Sequence, residues 1–336
     1  MKLLTKMKHG GVKQMILENK DCLEYLKTLE GESVDLVLTD PPYAIGFDDG
    51  KGWDSQWKTE DEYLNWCKVW TEECARVLKP NRMMVIWGTL KTDTFLRHKL
   101  EILNKIPELH GQNEIIWSYN WGGRIKNNFA RKHEYAWCYS KGKEFLFNAD
   151  DVRVERTIKT NMNSSKKILK EFKDKFKLEN DGKEPSREDV AKAKQTGEIK
   201  PSPAFAKGTI PTSIWDRKED TDEDCWAGVW QKNNHTTAKD YCGWHPTTKN
   251  IYLLERIIRA YTNPKDTVLD IFMGSGSTAI ACNNTNRKSI GCEVSKEYYK
   301  QSLERIEQIN KQVEEKKKIE KKKIISSLDT HYKEKT

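Results

Sequence analysis

The stretch Thr267-Val-Leu-Asp-Ile-Phe-Met-Gly-Ser-Gly-Ser-Thr-Ala-Ile280 decides the fold class. It runs from a short apolar segment through Gly274 and Gly276 into a segment of helical character. Glycines are favoured where the backbone turns tightly and approaches a ligand closely, and a following helix N-terminus offers free N–H groups. The stretch therefore predicts a ligand site in a strand-to-helix turn of an α/β protein.

Outward from this turn, apolar runs alternate with longer helical patterns, which is the sequence form of a parallel sheet covered by helices. We predict an α/β fold with a doubly wound, mostly parallel sheet. The predicted strands are Lys13 to Leu17, Val34 to Thr39, Arg82 to Gly88, Glu114 to Tyr119, Glu134 to Tyr139, Thr267 to Ile271 and Ser289 to Cys292. The predicted helices are Cys22 to Leu29, Glu60 to Leu78, Asp93 to Lys105, Lys249 to Thr262 and Ser277 to Asn284.

The chain has 336 residues, enough for two domains or for one large domain with an insertion. The apolar rhythm stops between residues 151 and 244, and Arg153 to Lys177 is strongly basic. We predict a catalytic domain in two parts, residues 1–150 and 245–310, separated by an inserted region over 151–244. Residues 311–336 contain EEKKKIEKKKII and are predicted to form a solvated helix that fades into a flexible basic tail.

The formal charge is +8, and such a mildly basic chain is compatible with a polyanionic partner. Apolar runs are far shorter than a membrane span needs, and the N-terminus lacks the apolar core of a secretory signal. The eight cysteines include no C-x-x-C pair and do not form a dense disulfide framework. These features predict a protein of a cytoplasm-like compartment with reduced thiols.

The glycine turn taken alone fits two kinds of nucleoside cofactor, and a purely structural turn is a third interpretation. Gly274-x-Gly276-x-x-Ala279 satisfies a dinucleotide fingerprint, with Glu293 placed further on to hold a ribose diol. Asp270 and Phe272 before the glycines favour another cofactor. A carboxylate beside the turn repels phosphate but suits the cationic amino-acid end of S-adenosylmethionine.

A second motif, Val34-Asp-Leu-Val-Leu-Thr-Asp-Pro-Pro-Tyr43, is a buried strand followed by a carboxylate, two prolines and an aromatic ring. Open α/β sheets bind ligands at the carboxyl ends of their strands. Asp40 and the Pro41 carbonyl can accept both hydrogens of an exocyclic amino group, while Tyr43 stacks on the ring of the base. Drawing both hydrogens toward acceptors frees the nitrogen lone pair to attack a methyl donor.

Asp40 to Tyr43, together with Asp270-Ile-Phe-Met-Gly-Ser-Gly276, resembles the amino-group DNA methyltransferases in the permuted order that puts the catalytic motif before the cofactor motif. Flanking stretches agree with the resemblance: Asp21-Cys-Leu23, Gly52-Trp-Asp54, Arg131-Lys-His-Glu134 and His245-Pro-Thr-Thr-Lys249. It covers residues 13–149 and 245–310. The implied fold is a circularly permuted, Rossmann-like methyltransferase, and residues 151–244 match its target-recognition region.

The resemblance assigns roles to single residues. It makes Asp40, Pro41, Pro42 and Tyr43 the catalytic loop and Asp270, Phe272, Gly274, Ser275 and Gly276 the cofactor turn. Glu293 would bind the cofactor ribose, Asp21 would lie near its adenine, and Lys249 would lie near its carboxylate.

The function that the resemblance implies is methyl transfer from S-adenosylmethionine to N6 of adenine, in a base flipped out of double-stranded DNA. Asp rather than Ser at position 40 favours adenine over N4 of cytosine, which stays an alternative, as does an RNA substrate. The resemblance leaves open a homodimer and a companion restriction endonuclease.

Two other classes of function are weighed against this one. An NAD-dependent oxidoreductase would use the glycine turn but leave the Asp40 loop without a task, and a non-catalytic nucleic-acid-binding subunit would not need both motifs intact. The absence of a Pro-Cys dipeptide argues against carbon-5 methylation of cytosine.

The spacings among Cys225, His235, Cys242 and His245 match no common zinc motif, so we predict no metal. Trp66 and Trp70 are expected in the core, and Trp53 is a candidate for closing the pocket.

Overall fold

The computed structural model describes residues 15–47, 50, 52–118, 126–127, 133–153, 166–196, 198–199, 214–215 and 242–333. One sheet of eight strands, in the order β1-β8-β7-β2-β3-β5-β4-β6, forms the centre of these residues. The strands are β1 Met15–Asn19, β2 Val34–Thr39, β3 Leu78–Gly88, β4 Leu109–Ser118, β5 His133–Lys141, β6 Ile214–Trp215, β7 Thr267–Asp270 and β8 Lys288–Glu293. β5 runs antiparallel to β3 and β4, and every other neighbouring pair is parallel. The predicted α/β fold with a mostly parallel sheet is confirmed.

Helices flank the sheet. They are α1 Cys22–Leu26, α2 Glu60–Val77, α3 Thr94–Arg97, α4 Lys166–Glu179, α5 Arg187–Gln195, α6 Ile251–Tyr261, α7 Ser277–Asn284 and α8 Lys296–Lys333. None of the helices in the described residues is both long and apolar enough to span a membrane.

Two hydrophobic clusters fill the two faces of the sheet. Leu36 and Leu38 of β2 belong to the cluster that contains α6 and α7, whereas Val37 belongs to the one that contains Trp70 of α2. All six residues of β2 are buried. A strand buried on both faces has an apolar sequence without alternation, which explains the continuous run at 34–39.

The central neighbours β2 and β7 are parallel, so the segments that follow them leave the sheet at the same edge. Thr39, the last residue of β2, donates from Oγ1 to Asp270 Oδ1 at 3.0 Å, across 231 residues of sequence. The Asp-Pro-Pro-Tyr loop and the glycine turn therefore lie side by side, in the order expected of a permuted chain.

Several predicted element boundaries need correction. β4 begins at Leu109, because residues 109–113, which carry few apolar side chains, pair with β5 through a bulge between Gly111 and Asn113. The predicted helix Asp93 to Lys105 is α3 followed by a π turn and a 3-10 turn. Tyr119, the predicted end of β4, lies outside the described residues.

The inserted region and the C-terminal segment contain helices that the sequence pattern did not predict in detail. α4 and α5 share a small apolar cluster that includes Phe172, Ala193 and Ile199, while β6 pairs with β4 at the sheet edge. α8 runs from Lys296 through Lys333, so the predicted boundary at residue 310 falls inside one helix. The division into domains stays a prediction.

Candidate active site

The segments that follow β2 and β7 open into one cleft, whose empty volume of about 1220 Å³ includes space open to solvent. Open α/β sheets bind ligands at this edge. The predicted site residues that line the cleft are Asp21, Asp40, Pro41, Pro42, Tyr43, Lys249, Asp270, Phe272, Gly274, Ser275 and Glu293. Gly276 is the predicted site residue that does not line it.

Asp40, the first residue after β2, has both carboxylate oxygens engaged by protein donors. The Tyr43 hydroxyl donates to Oδ1 at 2.6 Å, and Lys249 Nζ donates to Oδ2 at 2.6 Å. The Asp40 side chain is 20% exposed. Since each carboxylate oxygen accepts two hydrogen bonds, Asp40 can accept a further donor from the cleft.

Lys249 lies on the catalytic-loop side of the cleft. It precedes Asn250, whose Oδ1 accepts the Leu253 N–H at 3.0 Å and so caps α6. Lys249 Nζ also lies 3.1 Å from Glu134 Oε2, and these two side chains are 5% and 1% exposed. The sequence predicts Lys249 beside the carboxylate of the cofactor, whereas the contacts found are with Asp40 and Glu134.

The protonation states of this cluster follow from burial and charge. Burial raises the pKa of Glu134 to about 7, although the nearby Lys249 charge opposes the shift. Burial lowers the pKa of Lys249, but the charges of Asp40 and Glu134 outweigh it and raise that pKa above its ordinary value. Burial and then the Asp40 charge raise the pKa of Tyr43 well above its usual range. At neutral pH Lys249 is charged and Tyr43 is protonated.

The glycine turn is held by backbone contacts. Glu293, at the end of β8, accepts the Gly274 N–H at 2.9 Å and the Ser295 N–H at 2.8 Å. Gly274 has φ +49°, and a Cβ built on it would lie 2.8 Å from His245 Nε2. Both the left-handed backbone and the close approach of His245 therefore favour glycine at position 274.

Gly276, assigned by the resemblance to the cofactor turn, lies at the start of α7. It caps α7 with φ +79°, and a Cβ built on it would lie 2.9 Å from Ile306 Cδ1 of α8. A side chain at position 276 would therefore extend into the α7–α8 contact rather than into the cleft.

Two aspartates line the cleft, one at the end of β7 and one just after β1. Asp270 accepts hydrogen bonds from Thr39 and from the Phe272 N–H at 3.1 Å. Burial raises the pKa of Asp270 to about 6, although its hydrogen bonds oppose the shift. Asp21 Oδ1 accepts the Leu23 N–H at 2.8 Å, so Asp21 caps α1 while it lines the cleft.

Aromatic rings line and support this side. The Phe272 ring lies 5.4 Å from Trp66 and 5.6 Å from Trp70, measured between centroids. Trp70 is fully buried, as predicted, whereas Trp66 also lines the cleft. Trp53 lines the cleft too, and its role in closing the pocket stays a prediction.

Sequence reasoning placed three further residues of this site, Asp54, Glu134 and His245, in flanking motifs but gave them no individual role. Asp54 contacts the backbone of the catalytic loop, Glu134 pairs with Lys249, and His245 lies against Gly274. A useful signal was present for Glu134, an acid within the apolar strand 134–139. Within the described residues no cluster of three or more metal-ligating side chains occurs, and Cys225 and His235 lie outside them.

The polar groups that line the cleft fit S-adenosylmethionine, which carries an ammonium group, a sulfonium and two ribose hydroxyls. Carboxylates of Asp21, Asp270 and Glu293 line the cleft and suit the cationic groups and the hydroxyls. Gly274 lines the cleft without a side chain, so its backbone is open to close approach by a ligand. The residues present therefore fit this cofactor.

A strand-end cleft with an acidic, glycine-formed side and an Asp-Pro-Pro-Tyr loop beside it defines the class of Rossmann-like methyltransferases. The chain belongs to the N6_N4_Mtase family, described as DNA methylase, whose model matches residues 34–304. This family uses S-adenosylmethionine as its methyl donor, so the predicted cofactor is confirmed. Family membership also removes the NAD-dependent oxidoreductase as an alternative.

Named relatives agree with this assignment. The type II methyltransferase M1.MboII of Moraxella bovis is 31% identical over 85% of this chain and 94% of its own length. The DNA adenine methyltransferase YhdJ of Escherichia coli (strain K12) is also 31% identical, over 90% of this chain and 86% of its own. The solved PvuII DNA methyltransferase (cytosine-N4-specific) shares the fold, with a TM-score of 0.54, 17% identity, and coverage of 87% of this chain and 86% of that one.

Proposed function

We propose that this DNA methylase transfers the methyl group to N6 of adenine in double-stranded DNA. The observation that carries the proposal is Asp40, a carboxylate accessible from the same cleft as the acidic cofactor side. Asp rather than Ser at this position favours adenine in the resemblance drawn above. A relative with 31% identity is itself named a DNA adenine methyltransferase. N4 of cytosine offers the same two hydrogens and is the second candidate.

The target base has to leave the duplex to reach a cleft at the strand ends. Flipping costs a few kcal/mol of lost stacking and pairing. The Tyr43 ring lines the cleft and can recover part of this cost, since stacking of a base on an aromatic ring contributes about 1–3 kcal/mol.

In the flipped state, Asp40 and the Pro41 carbonyl accept the two amine hydrogens. Lys249 and the Tyr43 hydroxyl already hold the Asp40 carboxylate in place, so little reorganisation is needed when the amine arrives. The amine nitrogen becomes tetrahedral and positive during transfer, and the Asp40 charge stabilises it most at that stage. The transfer is direct and needs no covalent enzyme intermediate.

The cofactor side is assigned to Asp21, Asp270, Phe272, Gly274, Ser275 and Glu293. When bound there, S-adenosylmethionine supplies an electrophilic methyl group on its sulfonium. Glu293 is suited to the ribose hydroxyls, because each of its oxygens accepts a backbone N–H group and has a second lone pair. Asp270 is suited to a cationic group, and Phe272 supplies an apolar surface.

Residues 151–244 are assigned to target recognition. In α4, Leu169, Phe172 and Phe176 pack toward α5, and Lys170 and Lys175 of the same helix are exposed. Exposed lysines suit phosphate contacts, which position a protein on DNA without reading its sequence. A homodimer and a companion restriction endonuclease stay predictions.

The test is to sequence DNA from cells that express the protein, by a method sensitive to modified bases. We expect N6-methyladenine in one sequence context, and no such mark in cells that express Asp40→Ala at the same level. N4-methylcytosine in place of N6-methyladenine would contradict the adenine assignment. Modified RNA with unmodified DNA would contradict the DNA substrate.

A further inference from the structure

The carboxylate of Asp54 is almost completely buried under the catalytic loop, at 2% exposure. Its Oδ1 accepts the N–H groups of Tyr43 at 2.6 Å and Ala44 at 2.8 Å. Its Oδ2 accepts those of Ile45 at 3.0 Å and Phe47 at 2.9 Å. Four backbone donors of one loop thus converge on a single side chain.

This convergence requires an unusual backbone. Ala44 has φ 55° and Gly46 has φ 71°, so both lie in the left-handed region. The left-handed conformation costs roughly 1–2 kcal/mol for a residue other than glycine. Successive N–H groups that point into one concavity form a nest that binds an anion, and here the anion is the Asp54 carboxylate. The charge of Asp54 therefore offsets the strain at Ala44 and fixes the path of residues 43–47.

The fixed segment begins inside the catalytic motif. The Tyr43 N–H makes one of the four hydrogen bonds to Asp54, and the Tyr63 hydroxyl of α2 donates to the neighbouring Pro42 carbonyl at 2.8 Å. Tyr43 in turn donates from its hydroxyl to Asp40. The orientation of the Tyr43 ring and of the Asp40 carboxylate thus depends on where Asp54 holds the loop.

We propose that Asp54 is a positioning residue for methyl transfer: through four backbone N–H groups it holds the Asp40–Tyr43 loop in the shape that accepts the target amine. This inference rests on the proposed function for its choice of substrate. Asp54 does not need to touch the base or the cofactor. Its effect appears in the rate of the transfer step and not in cofactor affinity.

The test compares Asp54→Asn with a matched variant, Asp35→Asn. Asp35 is equally buried, at 3%, but lies near the opposite end of β2, where it accepts the Thr267 N–H at 2.9 Å and pairs with Lys79 and Arg82. Both substitutions remove one buried carboxylate charge. Of the two new amide groups, only the one at position 54 faces the catalytic loop, where its NH2 group would oppose backbone N–H donors of residues 43–47.

Single-turnover methyl transfer, S-adenosylhomocysteine affinity and hydrogen exchange are measured on both variants, at a temperature where thermal unfolding shows each to be folded. For Asp54→Asn we expect a rate at least about tenfold lower, cofactor affinity within about threefold, and faster exchange in peptides that span residues 43–47. For Asp35→Asn we expect the transfer rate and the loop exchange of the wild type.

A wild-type transfer rate in Asp54→Asn, with or without a loosened loop, would overturn the proposal, as would an equal loss of rate in Asp35→Asn. The rate comparison holds for whichever base the wild type methylates, so a cytosine product would contradict the adenine assignment alone. If the wild type methylates no DNA, the proposed function fails, and loop exchange unchanged by Asp54→Asn would separately overturn the role of Asp54.

Discussion

The two segments that form the cleft follow neighbouring parallel strands, yet their shapes have different origins. Ionic side chains hold the catalytic loop: Lys249 and Glu134 beside Asp40, and Asp54 beneath the backbone. Left-handed glycines and backbone N–H groups bound to Glu293 hold the glycine turn. Charged side chains thus hold the catalytic loop, whereas the glycine turn combines one carboxylate, Glu293, with glycines whose missing side chains permit its shape.

This difference indicates which kind of substitution should affect each half of the site. Removing a charge at the catalytic loop removes an electrostatic interaction that strengthens as the target amine becomes positive, so it should act mainly on the transition state. A change of volume at the glycine turn leaves charge constant, so it acts on binding and packing. Each of the following predictions tests this division, beginning with the largest expected effect.

Asp40→Ala should give the largest loss. Removing one preorganised electrostatic group costs about 100-fold to 1000-fold in rate, and we expect a loss of this size in single-turnover methyl transfer. Affinity for S-adenosylhomocysteine should change by less than about threefold, since Asp40 faces the base. Asp40→Asn is the control, because it keeps one acceptor oxygen and should lose less. A variant Asp40→Ala that retains more than about a tenth of the wild-type rate would make Asp40 a structural residue.

Lys249→Met distinguishes the contacts of Lys249 from its predicted role beside the cofactor. Lys249 acts through Asp40, so the rate should fall by about 10-fold to 100-fold, less than for Asp40 itself. Cofactor affinity should stay constant. The control is Lys249→Met combined with Glu134→Gln, which avoids leaving a buried carboxylate without its cation. Weak cofactor binding with a normal transfer rate would instead support the role predicted from sequence.

Gly274→Ala and Gly276→Ala form a matched pair within the turn. Both residues have positive φ, so each alanine should lower the free energy of unfolding by roughly 1–2 kcal/mol. At position 274 the new Cβ meets His245, a residue that lines the cleft, and we expect S-adenosylhomocysteine affinity to fall about tenfold. At position 276 it meets Ile306, and affinity should hold. Equal losses of S-adenosylhomocysteine affinity in a titration would mean that both glycines contribute to cofactor binding.

The smallest effect concerns the pH dependence of stability. The pKa of Glu134 is raised in the folded protein from 4.5 to about 7, so its contribution to stability is complete below 4.5 and is lost as the pH rises to about 7. The Glu134→Gln variant has no ionisable group at this position. The unfolding free energy of the wild type, relative to this variant, should fall by about 1 kcal/mol between pH 6 and pH 8. Denaturant titrations at both pH values measure this change. Gly276→Ala is the control, because its difference in unfolding free energy from the wild type should not change with pH. A difference between the wild type and Glu134→Gln that stays constant with pH would contradict the raised pKa of Glu134.

The sequence is sufficient to predict what depends on local pattern. β2 and β7 are apolar runs that end in motifs, and a parallel sheet brings their carboxyl ends to one edge. The partner of Lys249 could not be predicted in the same way, because it depends on where α6 begins relative to β2 and β5. Gly276 shows the same limit, since its neighbour Ile306 lies in the part of α8 before residue 311, where the pattern predicted no helix.

The hydrogen bond between Thr39 and Asp270 joins segments that are far apart in sequence, and this separation determines when the site can form. Its two strands are made far apart in time during synthesis, because 231 residues separate them, so no cleft exists until most of the chain has been translated. Closing a loop of this length costs conformational entropy that grows only with the logarithm of its length, about 0.6 kcal/mol for each doubling. The intervening segment, which includes residues 151–244 proposed for target recognition, can therefore lengthen or shorten in evolution at little thermodynamic cost to the cleft.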